Sequence, residues 1–205
     1  ASSTELQAEY GEALQLIEDY YSATDATAKA DAYALEAGLI GSDITLFAVR
    51  FGRTAPGLFS EDAEQVAATK ARLSGLCDSF FKDYDMSTDR DLFTNLMSKY
   101  QADIASEHLP SFFATVDSKY KGSIERYASK MYSKSFLVNE DAARAFIENP
   151  SEKILNKDLA VSAAMSILET YFGSMESDAQ AKFDKGYRLF VKGLREMRPN
   201  KAFYP

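Results

Sequence analysis

The chain has 205 residues, 46% of them hydrophobic and 13% aromatic, with a net charge of −8 and an isoelectric point of about 4.8. The aromatic content excludes a disordered chain, the acidic balance argues against a nucleic-acid partner, and no run of about 18 apolar residues is present to span a membrane. A single cysteine, Cys77, cannot form an internal disulfide, so the redox compartment stays open.

The first helix is predicted to begin near Ser3, where Ser2 and Glu5 have the spacing of a capping box. A second helix is predicted to begin at Asp25. The apolar stripe of the first helix consists of Leu6, Tyr10, Leu14, Ile17 and Tyr21. This spacing is typical of one buried helical face.

Two glycines, Gly38 and Gly41, are expected to bend or split the second helix. The segment Arg53–Gly57 contains a Pro-Gly step and is predicted to be a loop. Ser60 is expected to cap the third helix. The wider segment Arg50–Phe59 is the most apolar and least capped connection in the chain.

The remaining helices are predicted from caps and periodicity. Their starts are expected at Thr88, Pro110, Ser123, Asn139 and Asn156 or Asp158. The last helix carries apolar residues in a coiled-coil-like 4, 3, 4, 3 spacing at Phe183, Tyr187, Phe190, Leu194 and Met197. The first and last helices are long enough to pair.

Proline placement supports the same architecture, because each proline lies at a boundary of the helical pattern and proline costs about 3 kcal/mol inside a helix. The prolines are Pro56, Pro110, Pro150, Pro199 and Pro205. No strand-like alternation or hairpin signal occurs. We predict an all-α fold, an elongated array or bundle of about eight to ten helices without a β-sheet, forming one domain over residues 1–205.

Candidate catalytic chemistry is sparse. His108 is the only histidine and precedes a helix start, so an exposed loop histidine is favoured over a catalytic one. One His and one Cys are too few for a zinc site, and the inward-facing Glu-x-x-His pairs of di-iron bundles are missing. We therefore assign no catalytic, cofactor-binding or metal-binding residue and expect no cofactor.

Two acidic groups, Asp83–Asp85 and Asp89–Asp91, raise the alternative of a calcium loop. An EF-hand that begins at Asp83 would need glycine at its sixth position and glutamate at its twelfth, where this chain has Thr88 and Thr94. A helix-connecting turn, with acids favoured by the helix dipole, is the preferred interpretation.

Surface and core predictions complete the analysis from residue patterns. A basic stripe on the last helix either docks an acidic partner or, as we favour, is a solvated face; it consists of Lys182, Lys185, Arg188, Lys192 and Arg195. The pairs Phe80-Phe81 and Phe112-Phe113 are predicted to be core, with one member of each pair facing a neighbouring helix or domain. The chain ends in the apolar run Ala202–Pro205, which predicts that it is a piece of a larger protein.

Five segments carry a resemblance to a known family. They are Phe80–Asp85, Leu109–Phe113, Lys134–Leu137, Lys153–Ala160 and Gly193–Pro205. In this order they look like the helical domain of bacterial serine dipeptidyl-aminopeptidases of the dipeptidyl-peptidase VII and XI type. The resemblance is carried by residues 80–205, whereas the first sixty residues agree only in helical character.

The resemblance implies a hydrolase that removes dipeptides from peptide N-termini, with a chymotrypsin-like double β-barrel that carries the triad. The helical domain is inserted in that barrel, covers the cleft and contacts it within the same chain. In the family a Gly-x-Ser-Gly-type nucleophile motif lies beyond the Phe-Tyr-Pro ending, and this sequence contains none. The fragment alone is therefore expected to be inactive, and Arg50–Phe59 or the helix ends around it are expected to face the cleft.

The resemblance further implies a periplasmic or cell-surface location in a Gram-negative bacterium, peptide substrates bound by the full-length enzyme, and no nucleic acid. Oligomeric state is open, with a homodimer of the parent as one expectation. The competing class is a free-standing helical interaction or adaptor module without catalytic activity. The sequence beyond Pro205 separates the two, because a β-rich continuation with a serine nucleophile supports the peptidase.

Overall fold

The computed structural model describes residues 3–175 and 178–197, and these residues contain helices and no strand. The predicted all-α class is confirmed. The α-helices are α1 (Ser3–Tyr10), α2 (Glu12–Ala32), α3 (Asp43–Thr54), α4 (Ala63–Phe81), α5 (Met86–Asp103), α6 (Phe112–Tyr120), α7 (Ile124–Lys134), α8 (Glu140–Glu148), α9 (Glu152–Leu155), α10 (Leu159–Met175) and α11 (Asp178–Met197). Short π- or 3₁₀-helical turns cover Tyr33–Leu39, Ala55–Phe59, Ser106–His108 and Phe136–Val138.

The start of the second helix was predicted wrongly. The chain turns at Gly11 between α1 and α2, and α2 then runs through Asp25 without a break. Alanine occupies alternate positions from residue 26 to residue 32, and alanine is the strongest helix former, so propensity overrides the cap-like aspartate. The Ser2 half of the predicted capping box lies outside the described residues.

The predicted break at Gly38 and Gly41 is confirmed. A π-helical turn over Tyr33–Leu39 follows α2, and Thr27–Leu39 meets Asp43–Phe59 at an angle of 89°. A Cβ at Gly38 would lie 2.6 Å from Cγ2 of Ile167, so a side chain larger than hydrogen would displace α10. Within the described residues, no single helix is long and apolar enough to cross a membrane; only this bent pair passes that test, and only jointly.

The predicted loop over Arg53–Gly57 is wrong. Helix α3 continues to Thr54, and a 3₁₀ turn over Ala55–Phe59 extends it. Pro56 lies in the first turn of that segment, where a missing backbone N–H costs nothing. The burial of Ala55 and Leu58 explains why this segment is ordered as a helix rather than left as a polar loop.

Several caps differ from prediction by one to three residues. Asp62, and not Ser60, caps α4 by accepting the backbone N–H groups of Glu64 and Gln65. Asp85, and not Thr88, caps α5. The start predicted at Pro110 falls at Phe112, behind Ser111. The three predicted caps that the structure confirms are Ser123, Asn139 and Asp158.

The chain divides into two compact units, residues 1–29 with 172–205, and residues 30–171. In the second unit, α3 packs on α4 through Phe47 and Phe80, whose rings stack with centroids 4.0 Å apart. Phe112 and Phe113 are both buried, as predicted, and Phe113 contacts Tyr100 edge to face. This unit contains most of the buried residues that the structure describes.

In the first unit, α11 pairs with α1 and α2, as predicted for the first and last helices. A Cβ at Gly186 would lie 2.9 Å from the carbonyl oxygen of Ala13 and 2.9 Å from Cβ of Leu16, so the helices approach closely at this glycine. Lys192 forms an ion pair with Glu9 at 2.7 Å. The apolar ending Ala202–Pro205 lies outside the described residues, and what was predicted from it stays a prediction.

Candidate functional site

In the part of the chain that the structure describes, His108, the one histidine of the sequence, forms no side-chain hydrogen bond with a Ser, Thr or Cys. Cys77 is buried within α4, and burial raises the pKa of its thiol to about 11, so it stays protonated at neutral pH. His108 is half-buried in the 3₁₀ turn before α6. No group of three or more His, Cys, Asp or Glu side chains among the described residues is arranged to hold a metal ion.

Asp89 of α5 is a buried carboxylate of the second unit that accepts four hydrogen bonds. It is 2% exposed and accepts the backbone N–H groups of Asp43, at 2.6 Å, and Ile44, at 3.2 Å. The hydroxyls of Tyr84, at 3.2 Å, and Tyr132, at 2.8 Å, donate to the same carboxylate. A side chain of α5 therefore occupies the N-terminus of α3, where a negative charge is favoured by the helix dipole.

Burial raises the pKa of Asp89, and the hydrogen bonds from Tyr132 and from the backbone of Asp43 and Ile44 act against that rise. Burial next to Asp89 also raises the pKa of the Tyr84 and Tyr132 hydroxyls, which therefore remain donors. The acidic turn from Asp83 onward is thus a structural cap, in agreement with the preferred interpretation over calcium. No local pattern indicates that Asp89 caps a helix that begins 46 positions earlier in the chain.

Asp158 plays the same part at the start of α10. Its carboxylate accepts the backbone N–H groups of Ala160, at 2.9 Å, and Val161, at 3.1 Å. It also accepts the hydroxyl of Ser135 at 2.9 Å and the N–H of Phe136 at 3.1 Å. Burial raises its pKa despite these bonds. Both buried aspartates are therefore committed to holding helices in place.

The strongest candidate surface is a groove of about 780 Å³ between α3, the Ala55–Phe59 turn and α4. Its polar lining consists of Arg50, Arg53, Thr54, Gln65, Thr69 and Arg72, and its apolar lining includes Val49, Ala68 and Leu76. No acidic residue lines it. At its edge, a Cβ on Gly57 would lie 2.4 Å from Oγ1 of Thr69, so the turn and α4 are in direct contact.

The three guanidinium groups of this groove, which we call the arginine groove, come from two helices. Arg50 and Arg53 are three positions apart on α3 and share a face. Arg72 lies on α4. All three side chains are exposed, and none forms an ion pair with a described residue.

Other cations on and near α4 are paired instead. Arg144 of α8 binds Asp78 at 2.6 Å and Glu140 at 2.7 Å, and Lys70 binds Glu148 at 2.8 Å. The face of α4 toward α8 is therefore neutralised, whereas the arginine groove between α4 and α3 is lined by three guanidinium groups and no carboxylate. Such an arrangement can bind an anion, since guanidinium groups match carboxylates in charge and geometry.

The arginine groove was only half anticipated. The sequence predicts Arg50–Phe59 as an apolar connection that faces the cleft, and it predicts no binding role for the arginines of this segment. The spacing Arg50-x-x-Arg53 is a readable signal once α3 is extended to Thr54. Arg72 joins them only through the packing of α4 on α3, which no local pattern reveals.

The basic stripe on α11 is exposed, as predicted, and part of it is neutralised within the first unit. Lys185 binds Glu12 at 2.8 Å, and Lys192 binds Glu9 and lies 5.5 Å from the ring centroid of Tyr10. These contacts link α11 to the N-terminal helices. They reduce the charge available for an acidic partner.

Comparison with known proteins places these features in a family context. The model of the peptidase S46 family matches residues 1–205. A dipeptidyl-peptidase 7 of Capnocytophaga gingivalis is 23% identical over 208 residues, and one of Porphyromonas gingivalis is 29% identical over 201 residues. These matches cover 100% and 94% of this chain, which spans only 28% and 27% of the two relatives.

Solved structures show the same fold. The crystal structure of Porphyromonas endodontalis DPP11 in complex with the dipeptide Arg-Glu matches with a TM-score of 0.76 and 21% identity. The match covers 97% of this chain and 30% of that one. DPP11 of the same organism in complex with substrate matches with a TM-score of 0.71.

Proposed function

Because this chain belongs to the peptidase S46 family, we propose that it is the helical part of a serine peptidase that releases dipeptides from the N-termini of peptides. In this proposal the helices form a lid over the active-site cleft. They carry no member of the triad. The relatives' names support the exopeptidase activity, since they include dipeptidyl-peptidase 7 and Asp/Glu-specific dipeptidyl-peptidase.

The observation that carries the lid role is the contrast between family and site. The family is one of peptidases, yet the described residues pair no Ser, Thr or Cys with a histidine base, and the chain spans about a quarter of the length of its relatives. The chemistry then belongs to the rest of the protein, which we propose is a chymotrypsin-like double β-barrel with its own oxyanion hole. We further propose a periplasmic or cell-surface location and leave a homodimer of the parent as a proposal.

A lid contributes to catalysis without touching the scissile bond. Its closure excludes water and holds the peptide N-terminus so that the second peptide bond lies at the nucleophile. We propose that α3 and the Ala55–Phe59 turn form the face toward the cleft. Their support is the arginine groove, a concave surface lined by three guanidinium groups that form no ion pair with a described residue.

The division of labour is tested by comparing two proteins. The 205-residue chain is expected to release no dipeptide from a chromogenic dipeptidyl substrate, whereas the full-length protein is expected to do so. Substitution of the nucleophilic serine in the full-length protein is the control for contaminating peptidase. Dipeptide release by the isolated chain would refute the lid role.

The face of the lid is tested in the full-length protein with a substrate whose side chains are uncharged. Leu58 is buried, so the first variant is made two positions earlier, at the exposed Pro56, as Pro56→Ala. It is combined with Thr54→Ala in the groove. We expect a change in KM or in the preference between short and long peptides. Ser118→Ala and Lys119→Ala on α6 are the matched exposed controls. Equal kinetics in both sets would refute this face.

A further inference from the structure

The arginine groove has the chemistry of a site for an acidic peptide. Three exposed guanidinium groups line it without an internal counter-ion, in a chain whose net charge is −8. Beside α8, Arg144 and Lys70 are neutralised by carboxylates of the fold. Arg50, Arg53 and Arg72 instead share one concave surface that no carboxylate lines, so a counter-ion in the groove would come from outside the fold.

The shape of the groove favours a chain over a small ion. Its volume of about 780 Å³ is far larger than one carboxylate or phosphate needs. The Gln65 amide oxygen accepts the hydroxyl of Ser60, which leaves its NH₂ group to donate to a peptide backbone, and Val49 and Leu76 provide apolar surface. A site for a single inorganic anion would instead gather its donors around one point.

The spacing of the charges specifies the ligand further. Arg50 and Arg53 are separated by about 4.5 Å along α3, at 1.5 Å per residue, and Arg72 lies across the groove on α4. In an extended peptide, side chains two residues apart lie on the same side at about 6.6 Å. Long guanidinium side chains reach carboxylates at that spacing and bind them through paired hydrogen bonds.

We propose that the arginine groove binds an extended peptide with carboxylates at alternate positions. The inference deepens the proposed function and rests on it for the origin of the peptide, which is the substrate segment that the lid covers. The chemistry of binding itself belongs to this chain alone. It can therefore be measured without any catalytic step.

The test is fluorescence anisotropy with the 205-residue chain and a labelled peptide of alternating Glu and Ser, at low ionic strength. We expect saturable binding that weakens with added salt, because exposed charge pairs are screened. A labelled peptide of alternating Gln and Ser is expected not to bind. Absence of binding by the acidic peptide, or equal binding of the neutral one, would overturn the proposal.

Matched triple variants separate the groove from overall charge. Arg50→Gln with Arg53→Gln and Arg72→Gln is expected to weaken binding by about tenfold. A control with the same charge loss at exposed sites of α6 and α7, Lys119→Gln with Arg126→Gln and Lys134→Gln, is expected to bind as the parent chain does. Circular dichroism verifies that both variants are folded. Equal weakening in both would overturn the proposal.

Competition distinguishes other anions. Single-stranded DNA or inorganic phosphate that displaces the peptide at a lower concentration than unlabelled acidic peptide would overturn the assignment to a peptide. The result for peptide binding can be separated from the lid role, because the kinetic tests of the lid use a substrate whose side chains are uncharged. Failure of peptide binding leaves those kinetics unaffected, and unchanged lid kinetics leave the anisotropy result standing.

Discussion

The carboxylate of Asp89 accepts the backbone N–H of Asp43 over 2.6 Å, so that a residue of α5 caps the first turn of α3. This relationship fixes the start of the helix whose other end carries Arg50 and Arg53. Ser42, the residue in the capping position, forms no such bond and pairs its hydroxyl with Thr45 at 2.8 Å. The long-range cap therefore replaces the local one.

Asp89→Asn is expected to destabilise the chain by about 2–4 kcal/mol, because the amide leaves one oxygen for four donors and turns its NH₂ toward them. Urea unfolding of the 205-residue chain measures the loss. Asp91→Asn, two positions away and exposed, is the control and is expected to change stability by less than about 0.5 kcal/mol. Equal losses would contradict the capping role of Asp89.

The buried Asp158 gives a pH dependence with a definite sign. Burial raises the pKa of this carboxyl above its ordinary value of 3.8, so the folded chain binds the proton more tightly than the unfolded chain. The stability difference between the parent chain and Asp158→Asn is therefore expected to be largest below pH 3.8. It should shrink as the pH rises through the folded-state pKa.

Asp85 provides the opposite sign as a control. Hydrogen bonds from the Thr88 backbone lower its pKa, so its contribution is present above pH 3.8 and is lost as the pH falls through the lowered value. Urea unfolding of the parent, Asp158→Asn and Asp85→Asn chains across acidic pH measures both trends. Parallel pH profiles for the two variants would contradict the assigned environments.

Variants of Gly57 and Gly75 test how closely the Ala55–Phe59 turn packs on α4. Gly57→Ala is expected to destabilise the chain by about 1–3 kcal/mol, because the new Cβ would lie 2.4 Å from Oγ1 of Thr69. Gly75→Ala, on α4 with nothing within 4 Å, is expected to stabilise it by about 0.5–1 kcal/mol. Thermal unfolding compares them, and a neutral Gly57→Ala would show that the turn does not contact α4 closely.

A second pair of glycine variants tests the pairing of α11 with the N-terminal helices. Gly186→Ala is expected to cost about 1–3 kcal/mol, since its Cβ would approach the backbone oxygen of Ala13, which cannot rotate away. Gly173→Ala has open space around its Cβ and serves as the control. Thermal unfolding followed by circular dichroism measures both. A Gly186→Ala chain as stable as the control would contradict the close approach.

Local signals accounted for the helical class and for those caps whose partners are near in sequence. Ser123, Asn139 and Asp158 were predicted because each bonds a backbone N–H two or three residues later. The same reasoning failed at Ser60, where Asp62 is the better acceptor two positions on. Local rules rank such neighbours poorly because serine and aspartate have similar cap preferences.

The candidate site depended on contacts between helices, and these were out of reach of the sequence. Arg53–Thr54 was assigned to a loop because Pro56 and Gly57 follow it, whereas burial of Ala55 and Leu58 continues the helical path. Arg72 lines the same groove as Arg50 and Arg53 because α4 packs on α3, where the rings of Phe47 and Phe80 stack. The three arginines can be read from the sequence, but only the packing of α4 on α3 shows that they line one groove.

The lid role is tested most directly by hydrogen exchange of the full-length protein, followed by mass spectrometry, with and without a saturating dipeptide product. The account predicts slower exchange in α3, in the Ala55–Phe59 turn and in the part of α4 that lines the groove, and unchanged exchange in α6 and α7. Slower exchange confined to α6 and α7, or no change anywhere in residues 43–76, would contradict it.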